Sequence, residues 1–121
     1  MPIKVLAVDD SRTMRELLKR ALGDNGFEVH VAVDGVDGLD VLSVCSPDVV
    51  ITDINMPRMD GFQFIEKIRS GPTSQRVPIL ALTTESAPEL KKRARDAGAT
   101  GWIVKPFNAE KLAAVIRRVA A

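Results

Sequence analysis

Three acidic side chains stand where apolar stretches of the sequence end. Asp9 and Asp10 follow the stretch Ile3–Val8, and Asp53 closes the stretch that begins at Val49. A carboxylate beside a buried strand loses part of its hydration, and neighbouring carboxylates raise one another's pKa. A hard divalent cation compensates such crowding, and carboxylate oxygens are ligands that suit Mg²⁺. If the fold brings these stretches together, the pattern predicts a Mg²⁺ site.

A hydroxyl and an ammonium group end two later apolar stretches. Thr83 closes the stretch from Ile79, and Lys105 closes the stretch from Gly101. Beside a metal ion these groups suit phosphoryl transfer, because they stabilise charge on the transferred group. An aspartate can itself be the nucleophile and form an acyl phosphate. A single aspartate at a strand end is more often a helix cap or a turn residue, but the combination favours Asp53 as a phosphoryl acceptor.

The rest of the sequence predicts a scaffold in which these strand ends meet. Strand-like stretches alternate with stretches of helical period, which is typical of an α/β domain with a parallel sheet. Glu28–Val33 has valines at every second place, which indicates an edge strand. Right-handed crossovers then favour a single doubly wound five-stranded parallel sheet of order 2-1-3-4-5, with helices on both faces, the flavodoxin-like arrangement. The predicted strands are Ile3–Val8, Glu28–Val33, Val49–Asp53, Ile79–Thr83 and Gly101–Lys105.

This strand order brings the candidate residues to one edge of the sheet. The winding reverses between the first and third strands, and ligands in such sheets bind beyond the carboxyl ends of the strands at that reversal. We therefore expect Asp9, Asp10 and Asp53 to line the reversal, with Thr83 and Lys105 beside them.

Helix ends and helix faces are also marked in the sequence. The predicted helices are Arg12–Asp24, Gly35–Cys45, Gly61–Ser70, Ser86–Gly98 and a stretch after Asn108. Asp60 followed by Gln63, and Ser86 followed by Glu89, are capping-box patterns. The first helix carries an apolar stripe that should face the core. Its members are Met14, Leu17, Leu18, Ala21 and Leu22.

Length and composition narrow the class of protein. The 121 residues suit one domain, and the formal net charge of +1 does not favour a nucleic-acid binder. No apolar run is long enough to span a membrane, so we expect neither a membrane nor a nucleic-acid partner. Cys45 is the single cysteine, which excludes an internal disulfide and fits a cytoplasmic protein. We expect a monomer.

Taken together, the motifs resemble those of response-regulator receiver domains. They are Asp9-Asp10, the segment Asp53–Gly61, Thr83 and Lys105-Pro106-Phe107. The resemblance covers the whole chain, so residues 1–121 are expected to form one receiver domain. Within the family it is strongest to the single-domain chemotaxis regulators. It implies that a histidine kinase phosphorylates Asp53 and that phosphorylation switches the binding of a partner.

The resemblance also implies a role for each residue at the metal. Asp10 and Asp53 correspond to direct Mg²⁺ ligands, and the backbone carbonyl of Asn55 corresponds to a third. Asp9 would act mostly through water. Lys105 would hold the phosphoryl group or pair with Asp53.

The resemblance also assigns the switch residues, a peptide-bond isomer and two residues that flank the site. Thr83 corresponds to the switch hydroxyl that moves toward the phosphate. Trp102 occupies the place of the second switch residue, where Tyr or Phe is usual. The Lys105–Pro106 bond is implied to be cis. Asn55 and Glu85 flank the site, at positions that tune hydrolysis of the acyl phosphate.

The implied output surface is formed by helix four, strand five and helix five. The outer face of helix four is basic, which is either an ordinary solvated face or a docking site for an acidic partner segment. The resemblance implies an output protein such as the flagellar motor switch. The basic residues are Lys91, Lys92, Arg93 and Arg95.

Other functions are compatible with parts of the pattern. A standalone phosphorelay shuttle, a phosphate sink or a receiver from a longer regulator would carry the same motifs; the last helix ends at Ala121 without a linker, which favours a standalone protein. A Mg²⁺-dependent phosphatase that forms an aspartyl phosphate would need a second acid where Asn55 stands. An FMN-binding flavodoxin would place phosphate where Asp9 and Asp10 would repel it.

Overall fold

The computed structural model describes residues 2–72 and 76–121, which form a parallel sheet with helices between the strands. The sheet has five strands in the order β2-β1-β3-β4-β5, so the predicted order is confirmed. No helix within the described ranges has the length and apolar character to cross a membrane. The elements are β1 Lys4–Val8, α1 Arg12–Asp24, β2 Glu28–Ala32, α2 Gly35–Cys45, β3 Val49–Thr52, α3 Gly61–Ser70, β4 Ile79–Thr83, α4 Pro88–Ala97, β5 Gly101–Val104 and α5 Ala109–Ala120.

The core has one layer on each face of the sheet. Successive residues of a strand point to opposite faces, and β1 shows this directly. Val5 and Ala7 pack with α1 and α5, whereas Leu6 and Val8 pack with α2 and α3. A smaller cluster under α4 contains Ala94. The helices therefore cover both faces, and only the edges of the sheet remain for a site.

Several strands end one residue earlier than the sequence predicted. β3 ends at Thr52 and β5 at Val104, so Asp53 and Lys105 are the first loop residues. Their backbone N–H groups still donate to the neighbouring strands, to the carbonyls of Val8 at 2.9 Å and Thr83 at 2.7 Å. The backbone of each candidate residue is thus bonded to the sheet, while its side chain lies just beyond the end of the strand. β2 also ends one residue earlier than predicted, at Ala32, and β1 begins one residue later than predicted, at Lys4.

The predicted start of the fourth helix is wrong. The helix begins at Pro88, Ala87 is its N-cap, and no side chain caps it, so Ser86 and Glu89 form no capping box. Proline explains the shift, because its fixed φ suits the first helical position and it disfavours a helical residue before it. The other capping box is confirmed, since Asp60 and Gln63 bond reciprocally at the start of α3.

One member of the predicted stripe of α1 lies outside the core. Leu17 is 49% exposed, while Leu18 and Leu22 are fully buried. Adjacent helical residues are about 100° apart around the axis, so Leu17 is turned away from the face that Leu18 buries.

Candidate functional site

Three carboxylates converge at the carboxyl edge of the sheet. Asp9, Asp10 and Asp53 each offer an oxygen, and these oxygens all lie within 4.8 Å of one another. The register explains the meeting, because Val8 of β1 pairs with Thr52 of β3 and both strands end there. The expected acidic cluster is therefore formed by residues from the two strands that flank the reversal of the winding.

Asp9 is the firmly anchored member of the cluster. Its side chain is almost fully buried, and its Oδ1 accepts a hydrogen bond from the Ser11 N–H at 2.9 Å. Its Oδ2 accepts a hydrogen bond from Lys105 Nζ at 3.0 Å. Arg15 donates to its backbone carbonyl at 2.8 Å. Both carboxylate oxygens have donors, so Asp9 fixes the position of the Lys105 ammonium group.

Asp53 is less completely satisfied. Its Oδ1 accepts a hydrogen bond from the Ile54 N–H at 2.7 Å, while its Oδ2 lies 3.7 Å from Lys105 Nζ. Burial is the main cause that raises the pKa of Asp53. The charge of Lys105 opposes the rise, and the charge of Asp9 adds to it. Among the described residues only Oδ1 accepts a hydrogen bond, so Oδ2 is the oxygen of Asp53 that can accept an incoming group.

Lys105 lies closer to Asp9 than to Asp53. The two Nζ–oxygen distances are 3.0 Å and 3.7 Å. One ammonium group thus faces two carboxylates, with Asp10 exposed beside them. The peptide bond between Lys105 and Pro106 is cis.

The donor set suits a hard cation. It consists of carboxylate oxygens, which Mg²⁺ and Ca²⁺ prefer, and it contains more negative charge than Lys105 neutralises. Mg²⁺ usually keeps several waters and takes only one or two carboxylates, and Asp10 is open to solvent. Asn55 is exposed on the loop that follows Asp53. The residues present therefore fit a Mg²⁺ ion.

Thr83 and Trp102 are linked through the loop that follows β4. Thr83 is fully buried, and its Oγ1 accepts a hydrogen bond from the Glu85 N–H at 3.3 Å. Trp102 Nε1 donates to the Glu85 carbonyl at 2.9 Å, and its ring packs on the cluster that contains Phe62. The bond from the indole was not predicted, because it depends on a nitrogen that Tyr and Phe lack at this position.

Two of the basic residues of α4 are engaged within the chain. All four are exposed, but the Arg93 guanidinium lies over the Phe62 ring, 4.1 Å from its centre. Lys92 pairs with Asp96 at 2.9 Å.

A second buried carboxylate, Asp34, was not among the predicted site residues. Its Oδ1 accepts from the Asp37 N–H at 2.9 Å, and its Oδ2 accepts from Arg58 Nε at 2.8 Å. These donors lower the pKa of Asp34, with the bond from Asp37 as the largest cause. An aspartate before a helix signals an N-cap, but no local pattern signals a partner as distant in sequence as Arg58.

Comparison with known sequences gives a consistent result. A family model described as the response regulator receiver domain matches residues 5–117. The response regulator MprA of Mycobacterium sp. (strain KMS) is 42% identical over 117 residues, which are 97% of this chain and 50% of that protein. MprA of Mycobacterium tuberculosis (strain CDC 1551 / Oshkosh) is 39% identical over the same length. The chain thus spans about half the length of the curated relatives it matches.

Solved structures share the fold over nearly the whole chain. The chemotaxis protein CheY4 of Vibrio cholerae matches with a TM-score of 0.93 and 45% identity, covering 98% of this chain and 99% of that one. The signal receiver domain of a signal transduction histidine kinase from Syntrophus aciditrophicus matches with a TM-score of 0.87 and 32% identity, covering 97% and 89%. Receiver domains therefore occur with this fold both in a chemotaxis protein and in a kinase.

Proposed function

Because this chain belongs to the response regulator receiver family of two-component systems, we propose that Asp53 accepts a phosphoryl group from a histidine kinase. The observation that carries the proposal is the position of Asp53, which belongs to the acidic cluster and has its Oδ2 3.7 Å from Lys105 Nζ. In the reaction, the P–N bond of a phosphohistidine breaks while a P–O bond to Oδ2 forms. The electron pair of the broken bond leaves with the imidazole nitrogen of the kinase.

Each residue of the site has a defined task in this transfer. The Ile54 N–H holds Oδ1 and so orients the attacking carboxylate. Lys105, held by Asp9, places positive charge beside the oxygens of the loose transition state. Thr83 uses its oxygen as an acceptor toward Glu85, which leaves its hydroxyl proton for a phosphoryl oxygen.

The acidic cluster would hold Mg²⁺ through Asp10, Asp53 and the backbone carbonyl of Asn55, with Asp9 acting through water. When bound, the ion supplies positive charge that neutralises the crowded carboxylates and the transferred phosphoryl group. The domain is a signalling switch, and we propose that it catalyses both its own phosphorylation and the later hydrolysis by water. We propose that Asn55 and Glu85, on the loops that follow β3 and β4, tune that hydrolysis.

The switch would pass from the phosphate to the α4–β5–α5 surface. A phosphoryl oxygen that draws the Thr83 hydroxyl toward itself moves Oγ1 away from the Glu85 N–H, while the Glu85 carbonyl is bonded to Trp102. A displaced Thr83 therefore disturbs the loop that positions the indole beside α4. A partner that prefers one arrangement shifts the population toward it.

The output that we propose is chemotaxis, through binding to a flagellar motor switch protein. The likeness to CheY4 supports this, because it covers 99% of that chain as well as nearly all of this one. In this setting residues 1–121 would act as one monomeric receiver domain in the cytoplasm. A pull-down of motor-switch protein with and without beryllofluoride, a phosphoryl mimic, tests the output, since capture only with the mimic is expected.

A second candidate is the receiver of a longer response regulator. The curated relatives favour this candidate, because the matched part is only 50% of the MprA protein. A pull-down in which motor-switch protein is captured neither with nor without beryllofluoride would favour this candidate or a phosphorelay role.

The phosphoryl acceptor is tested by labelling with acetyl phosphate or a phosphorylated kinase. Asp53→Asn should abolish acid-labile label, because an amide does not form the acyl phosphate. Asp40→Asn changes an exposed carboxylate on α2 and should label like the wild type. Undiminished label on Asp53→Asn would exclude Asp53 as the acceptor.

A further inference from the structure

The outer part of the loop between β3 and α3, residues Asn55–Asp60, is closed tightly at its base. The Gly61 N–H donates to the Ile54 carbonyl at 2.8 Å. A Cβ on Gly61 would lie 2.3 Å from the Asp53 carbonyl oxygen, so only glycine fits there. The backbone at the base of the loop therefore has little conformational freedom. The conformation of the rest of the loop depends on the contacts at its tip.

The tip is held in a conformation that arginine rarely adopts. Arg58 has a φ of 66°, in the left-handed region where a side chain is disfavoured. Such a residue persists when its surroundings hold it. Arg58 Nε donates to Asp34 Oδ2 at 2.8 Å across the space between two loops. The next residue, Met59, covers Gly35, where a Cβ would lie 2.9 Å from the methionine sulfur.

The acceptor of this contact is itself rigid. Asp34 is the N-cap of α2 and accepts from the Asp37 N–H, while Asp37 Oδ2 accepts from the Val33 N–H at 3.0 Å. These reciprocal bonds fix the turn between β2 and α2. The side chain of Asp34 is 6% exposed, whereas that of Arg58 is 60% exposed. The turn is therefore the anchor, and the loop that carries Asn55 is the part held in place.

We propose that the Arg58–Asp34 pair is a positioning clamp, which holds the Asn55–Asp60 loop so that the Asn55 carbonyl faces the cation site. The inference rests on the proposed Mg²⁺ site and adds two residues that do not touch the ion. Groups that orient a ligand without binding the metal commonly set its affinity. Loss of either partner frees the strained tip, and the carbonyl three residues before Arg58 loses its fixed direction.

The direction of the effect separates the clamp from simple electrostatics. Arg58 is a cation, so its charge alone weakens the binding of Mg²⁺, and Arg58→Ala would tighten binding if charge decided the result. Asp34→Asn would weaken binding through charge. The clamp predicts instead that both variants bind Mg²⁺ more weakly and by a similar factor.

The test is titration of the metal-free full chain with MgCl₂, with the heat of binding measured by calorimetry. We expect Arg58→Ala and Asp34→Asn each to raise the Kd about three- to tenfold. The double variant should have a Kd no higher than that of either single variant, because each single variant already removes the same Arg58–Asp34 contact. Asp34→Asn is suitable because asparagine preserves the N-cap of α2. Arg58→Lys should recover part of the affinity by restoring one donor.

Lys92→Ala is the matched control, because it breaks an exposed ion pair away from the loop. It should leave the Kd unchanged. Thermal unfolding in chelator provides the second readout, since a purely structural pair would lower the Tm without changing the Kd. An unchanged or tighter Kd in Arg58→Ala would overturn the clamp while leaving the Mg²⁺ site intact. Absence of Mg²⁺ binding by the wild type would overturn both.

Discussion

Two aspartates with little side-chain exposure, Asp34 and Asp53, have opposite electrostatic behaviour. The Asp34 side chain is 6% exposed and that of Asp53 is 12% exposed, and both follow strands at the same edge of the sheet. Yet the pKa of Asp34 is lowered by donors, whereas the pKa of Asp53 is raised by burial. Low side-chain exposure therefore accompanies a carboxylate whose charge is favoured by donors at one position and a carboxylate whose charge is disfavoured by desolvation at the other.

The two carboxylates also differ in the hydrogen-bond donors that they meet. Asp34 receives a backbone N–H on one oxygen and a guanidinium on the other. Asp53 receives one backbone N–H, and the nearest ammonium lies closer to Asp9. A carboxylate with incomplete donors is costly in a resting fold, but it can bind a cation and attack phosphorus. Desolvation and donor supply together thus distinguish the structural aspartate from the proposed functional one.

The largest effect is expected at the structural aspartate. Asp34→Ala removes the N-cap of α2 and the partner of Arg58, so it should destabilise the fold by about 2–3 kcal/mol. Urea unfolding measures the change. Asp34→Asn should cost less, because it retains the cap. Equal losses in the two variants would mean that the ion pair, and not the cap, carries the stabilisation.

The second effect tests whether a cation supplies what Asp53 lacks. Free Mg²⁺ at tenfold above its Kd should stabilise the wild type by about 1.4 kcal/mol. Asp53→Asn should gain much less, because it loses one of the proposed ligands. Unfolding in chelator and in MgCl₂ measures both gains. The same gain in both proteins would place the ion elsewhere.

The elements of the fold were largely predictable, because their signals are local. Hydrophobic period and strand length indicated every helix and strand, and parallel topology then required the strand ends to share an edge. Convergence of Asp9, Asp10 and Asp53 follows from that topology without knowledge of any side-chain conformation. The errors arose where local signals competed, as at Pro88, which displaced the cap expected from Ser86.

Contacts between loops were not predictable from these signals. The Arg58–Asp34 pair requires a left-handed backbone at Arg58, and no glycine marks that conformation in the sequence. Lys105 Nζ lies closer to the Asp9 oxygen than to the Asp53 oxygen, but the two distances differ by less than an ångström. Such details depend on how whole loops are placed. The sequence therefore indicates which groups come together but not which hydrogen bonds form between them.

A smaller effect of opposite sign is expected at the proposed functional aspartate. Asp53→Asn removes a charge that burial and Asp9 disfavour, while Lys105 keeps its closer partner. The variant should therefore be more stable than the wild type in chelator at neutral pH, by on the order of 1 kcal/mol. Urea unfolding of the two proteins side by side decides the sign. A loss of stability would show that Lys105 depends on Asp53 more than the geometry indicates.

The smallest effect is in pH dependence, where the two aspartates should titrate on opposite sides of the ordinary value of 3.8. Because the pKa of Asp53 is raised, its charge penalty is absent below 3.8 and grows as pH rises through the raised pKa. Because the pKa of Asp34 is lowered, its stabilisation is complete above 3.8 and is lost as pH falls through the lowered pKa. On acidification in chelator, the advantage of Asp53→Asn should therefore disappear first, while the deficit of Asp34→Asn persists to lower pH. Urea unfolding of the three proteins at stepwise lower pH measures both differences, and the contrast is wrong if they vanish over the same range.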